Sequence, residues 1–85
     1  GKASSALSMG MSTRLLAEMA SERPAFVSAL NSIAPNGIIP AAGGVIIVNA
    51  AGASIGAVGV TGDTSDNDEI CALHGIVTSG LTAQA

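Results

Sequence analysis

The stretch Gly52-Ala-Ser-Ile-Gly-Ala-Val-Gly-Val-Thr-Gly-Asp-Thr-Ser-Asp-Asn-Asp-Glu69 constrains this chain more than any other, because a glycine-punctuated apolar strand runs straight into a helix-start signal. Gly52, Gly56, Gly59 and Gly62 remove side chains from a backbone that otherwise carries Ile55, Val58 and Val60, which suits a strand approached closely by another backbone or a ligand. Thr64 and Ser65 then offer N-cap oxygens, and Asp66, Asp68 and Glu69 put negative charge in the first turn of a helix. The unit predicted is strand, tight turn, helix.

A chain of 85 residues has room for one small domain, and a domain of that size buries only about 60% of the surface its unfolded chain exposes. Charged residues make up 11% of this one, against about 25% in an ordinary soluble domain. So little charge leaves broad neutral surface and points to burial against other chains, hence a homo-oligomer. No apolar run approaches the length of a membrane span. Lys2, Arg14 and Arg23 are the only basic side chains and the formal net charge is -3, which offers nothing to neutralise a nucleic-acid backbone. A single cysteine, Cys71, excludes an internal disulfide and a zinc site of several thiolates, and leaves the compartment open.

Taken in order, residues 2–11 place Ala3, Ala6, Leu7 and Met11 on one helical face. No capping residue precedes Lys2, so the expectation is that the folded unit begins in residues absent from this sequence. Ser12 caps a second helix with Leu15, Leu16 and Met19 inward and Arg14 and Glu18 outward. Pro24 opens a third, with Phe26, Val27 and Leu30 as its buried stripe and Phe26 as a core anchor. Pro35-Asn36-Gly37 ends the helical region, and residues 37–40 are a candidate third strand held to an edge by Pro40. Gly43-Gly44 opens the β-branched run Val45–Val48, a strand covered on both faces that pairs antiparallel with Ser54–Thr61 through an Asn49–Gly52 connection. The last helix, from about Asp66 to Ser79, presents Ile70, Leu73, Val77 and Leu81 inward and stops at Gly80; residues 82–85 read as a frayed tail. Two strands do not make a stable sheet, so partner strands are expected from a missing segment or another chain.

With those residues placed, the chain resembles the GlcG/HbpS-like family of small haem-binding or haem-degrading proteins, which includes the C-terminal domain of PduO-type proteins. The matching pieces are Gly1-Lys2-Ala3, Pro24-Ala25-Phe26, Gly43-Gly44-Val45-Ile46 and above all Ile55-Gly-Ala-Val-Gly-Val-Thr-Gly62 followed by Asp66-Asn-Asp-Glu69. The chain lacks the N-terminal helix and β-hairpin usual in the family, and has Ile46 where members often have proline. The resemblance therefore implies an α+β fold, a profilin-like antiparallel sheet flanked by helices, incomplete in this chain. Residues 1–85 would be the C-terminal part of a single domain, completed by a missing N-terminal segment or partner chain and assembled into oligomers. It also implies haem, or another small anionic molecule, as the ligand.

Cys71 and His74 lie three apart on the last helix and could face one haem iron or metal ion, but a lone pair lacks the rest of a shell, and a packed His74 is the reading preferred. The carboxylates from Asp63 to Glu69 are read as capping groups rather than metal ligands. The missing lysine and the crowding acids argue against a phosphate loop, and nucleophilic catalysis finds no support where a single histidine is the one candidate base. The ligand-binding candidates are thus Gly43, Gly44 and Val45, a turn and strand free of local carboxylates, with Lys2 supplying positive charge if the family's geometry holds. The alternative reading is an enzyme or enzyme subunit acting on a small organic acid in a catabolic pathway, with Lys2 holding the carboxylate.

Overall fold

The computed structural model describes residues 1–34 and 37–84. It contains α1 (Lys2–Met9), α2 (Thr13–Glu22), α3 (Pro24–Ile33), β1 (Gly44–Val48), β2 (Ser54–Gly59), α4 (Ser65–Thr78) and β3 (Thr82–Ala83). The strands form one antiparallel sheet in the order β2-β1-β3, so β1 is central. This is the expected α+β class. The expected turn at Pro35 and Asn36 lies outside the described residues.

Alternation along β1 assigns its two faces. Val45 and Ile47 pack against Ala72 and Ile76 of α4, with Val58, Val60 and Ala83 around them. Gly44, and with it Ile46, faces α1 and α2, where Ile46 and Leu16 are fully buried. Both faces of β1 are therefore covered, which explains its unbroken β-branched run. The Asn49–Gly52 connection forms as expected: Gly52 takes a positive φ of 81° and its amide donates to the Asn49 carbonyl, while the Asn49 side chain accepts from the amides of Ala51 and Ala53.

Several expectations are corrected. Residues 37–40 form no strand, because their amides are taken by side chains instead of a ladder: the Ile38 N–H donates to Asn31 Oδ1 and the Ile39 N–H to Ser5 Oγ. The third strand is the supposed tail. The helix α4 ends in a Schellman motif, with the Gly80 amide donating to the Val77 carbonyl, the Leu81 amide to the Ile76 carbonyl, and Gly80 at φ 77°. That reversal carries Thr82 and Ala83 alongside β1, where the Gln84 amide donates to the Ile46 carbonyl.

All four helical faces differ from the spacing argument: in α2 the buried residues are Thr13 and Leu16, while Leu15 is 45% exposed. In α1 the buried residues are Lys2, Ser5 and Ala6, while Leu7 is exposed. In α4 they are Asp68, Ala72 and Ile76, and Ile70 and Val77 are 63% and 67% exposed. Small side chains let α4 approach the sheet closely, and a buried ion pair then fixes its rotation. In α3 only Val27 is buried, and Phe26, 44% exposed, lies under the Arg23 guanidinium at 4.9 Å from the ring centroid. Phe26→Ala is accordingly expected to cost no more than about 1 kcal/mol, whereas Leu16→Ala costs about 2–5 kcal/mol, as measured by urea unfolding. Equal losses would return Phe26 to the core.

Candidate functional site

Scarce charge makes each ion pair informative, and two clusters tie the start of α4 to the helices on the other side of the sheet. The first lies inside. Lys2, at the first position of α1, donates from Nζ to Asp68 Oδ2 at 3.1 Å and to the Val60 carbonyl at 2.9 Å. Both side chains are buried. Asp68 Oδ1 accepts from the Asp63 amide, so this carboxylate also closes the loop that leads into α4. Burial by itself would push the Asp68 carboxyl up; the Lys2 ammonium and the amides of Asp63 and Gly62 outweigh it and hold the group below the ordinary carboxylate value.

Gly43 and Gly44 close over this pair. A Cβ on Gly43 would lie 2.6 Å from the Val60 carbonyl and 2.7 Å from Lys2 Nζ, and one on Gly44 would lie 2.6 Å from the Lys2 carbonyl. Thr13, fully buried at the start of α2, accepts the Gly44 amide on Oγ1 at 2.8 Å. Of the motif glycines, Gly59 has a comparable role, its Cβ position lying 2.7 Å from the Ala3 amide nitrogen; Gly56 and Gly62 face open space.

The second cluster is at the surface. Ser12 caps α2 by accepting the Leu15 amide, which sets the direction of Arg14. Arg14 donates from Nε to both Glu69 oxygens, at 2.8 and 3.0 Å, and from Nη2 to Asp66 Oδ1. Asp66 first, then Glu69, raise the guanidinium above its already high pKa, so it stays charged throughout the working pH range. Two open grooves meet at this arginine. One, of about 410 Å³, runs between α2 and the Pro40–Ala42 segment and reaches Ser65 and Asp66. The other, of about 260 Å³, has Leu15, Val45 and Leu73 as apolar walls and Ser12, Glu69 and Gln84 as polar ones.

The structure thus brings Lys2, Gly43 and Gly44 together, as the sequence suggested, but around Asp68; Val45 turns the other way and lines the smaller groove. Cys71 and His74 are exposed on α4, so His74 is not packed, and neither lines these grooves. Among the described residues, no group of three or more His, Cys, Asp or Glu side chains is placed to hold a metal ion. Thr64 is the α4 cap, accepting the Asn67 amide, and Asp63 accepts from the Thr64 amide. Asp66 and Glu69 do not cap; they hold Arg14. The sequence did contain a signal for this, since Asp66 and Glu69 share a helical face at i, i+3 while Asp68 sits off it, so three acids in one turn need different partners.

Fold and site together define a small α+β protein with helices on both faces of an antiparallel sheet and a partly apolar cleft beside a fixed cation. Residues 1–77 match the model of the family described as haem degrading protein HbpS-like, and the chain belongs to that family. No curated protein and no solved structure matches it.

Proposed function

We propose that this chain is the ligand-binding portion of an oligomeric haem-binding protein, taking haem or a related planar, partly apolar, anionic molecule in the cleft between α2 and α4. The family match over residues 1–77 carries the reading. The residues present suit such a ligand: Leu15, Val45 and Leu73 offer apolar surface, and Arg14 offers a charged donor for a carboxylate. Val45 enters directly as cleft wall. Lys2, Gly43 and Gly44 enter by fixing the strand end that carries it, with the Lys2 charge already matched by Asp68. A bound haem would supply the iron centre; Leu15, Val45 and Leu73 would supply apolar wall and Arg14 the cation.

The broad neutral surface, including Ile70 and Val77 on α4, supports burial against other subunits or a further segment. Titration of the native assembly with haemin tests the function. A saturable shift of the Soret band is expected, with stoichiometry set by the number of chains. A linear, non-saturating response indistinguishable from haemin in buffer would defeat the haem reading.

A further inference from the structure

Arg14 is the one residue shared by the two grooves, and it stands between them with Asp66 on one side and Glu69 on the other. Ligand pockets commonly span roughly 300–1,000 Å³. The compartment with the apolar walls, at about 260 Å³, falls short of that by itself; joined to its neighbour it falls well within it.

The two carboxylates that hold Arg14 are not equivalent. The Glu69 side chain is 17% exposed and receives Nε in a two-oxygen contact, whereas that of Asp66 is 76% exposed and receives only Nη2. An exposed ion pair contributes little, because water competes for both partners. Among the described residues, Nη1 of Arg14 makes no hydrogen bond, and the side chain is 42% exposed. The guanidinium is therefore anchored at one edge and available at the other.

We propose that Arg14 is the anion anchor of the cleft, held in place by Glu69, and that Asp66 is a resident competitor which a ligand carboxylate displaces. The assignment rests on the haem-type reading and deepens it by naming the residue that selects for an acidic ligand. Exchange of Asp66 for a ligand carboxylate keeps the charge on Arg14 matched.

The test compares haemin with haemin dimethyl ester, which has the same ring without free carboxylates, by Soret titration of the native assembly. A charge-assisted hydrogen bond is worth about tenfold or more in affinity, and giving up the exposed Asp66 contact offsets part of it, so the wild-type protein should prefer haemin by several-fold. Arg14→Met should erase the preference, and Arg14→Lys should restore part of it. Asp66→Asn, at an exposed position that leaves folding intact, should strengthen haemin binding several-fold without affecting the ester. Retention of the preference in Arg14→Met, or no gain in Asp66→Asn, overturns the assignment while haem binding stands. Absence of saturable binding by the wild type overturns both.

Discussion

Replacing Lys2 by methionine is expected to lower the thermal midpoint at neutral pH by roughly 10 °C or more. The substitution keeps the apolar stem and removes the charge, which leaves Asp68 buried beside the Val60 carbonyl without a cation. A buried carboxylate in that position costs far more than an exposed one, because no water replaces the lost partner. The pH dependence identifies the cause. The Asp68 carboxyl is held below its ordinary value, so its contribution is complete above the unfolded-state value of about 3.9 and is lost as pH falls through the lower folded-state value. The gap between wild type and Lys2→Met should therefore be widest near pH 7 and narrow below about pH 4, where protonated Asp68 no longer needs a cation. Thermal unfolding across pH 3 to 7 measures it; a gap of constant size would mean that Lys2 acts through packing alone.

Gly44→Ala should be nearly as damaging. Its Cβ would meet the Lys2 carbonyl at 2.6 Å and Thr13 Cγ2 at 2.8 Å, and a backbone carbonyl cannot move aside as the end of a flexible side chain can. Forcing one methyl into such a contact costs about 1–3 kcal/mol, since α1 and α2 must shift off the sheet and loosen the Thr13 hydrogen bond to the Gly44 amide. Gly75→Ala is the matched control. A Cβ there meets nothing within 4 Å, in the interior of α4, so helix propensity should stabilise the protein by about 0.5–1 kcal/mol. Denaturant midpoints of the two variants should move in opposite directions; a shared direction would refute close packing as the role of Gly44.

Both expectations concern the same junction, and it also limits how ligand binding can work. Lys2, Asp68, Gly43 and Gly44 form a closed joint that fixes α1, β1 and the start of α4 relative to one another. Arg14 and its two carboxylates form the open joint a few residues away. The buried pair gives the rigid frame, and the exposed pair gives the exchangeable contact. On the ligand reading proposed above, that division leaves the anchor positioned by Glu69 without being saturated by it.

Much of the fold was legible in the residues. The paired strands, the Ser12 and Thr64 caps, the Pro24 start, the Asn49–Gly52 connection and the Gly80 stop all appear where local chemistry put them. The caps and stops depend on atoms within a few residues of one another, and the paired strands are joined by a short connection, so the sequence contains these interactions. The inward faces of the four helices were not fully legible, nor was the third strand. Apolar spacing names a stripe on α4, Ile70–Leu73–Val77, but the sheet takes the neighbouring stripe of Ala72 and Ile76, since Asp68 must turn inward to reach Lys2.

The candidate site divides the same way. The family fingerprint was contained in the sequence, and the grouping of Lys2 with Gly43 and Gly44 was implied by the resemblance that fingerprint carries. The partners of the charges were not: Lys2 and Asp68 are separated by 66 positions, and Arg14 and Asp66 by 52. Local chemistry determines where each helix and strand begins and ends. Only the tertiary structure decides which charges meet, because that depends on the distance between elements and on the burial that makes one ion pair permanent and leaves the other free to exchange.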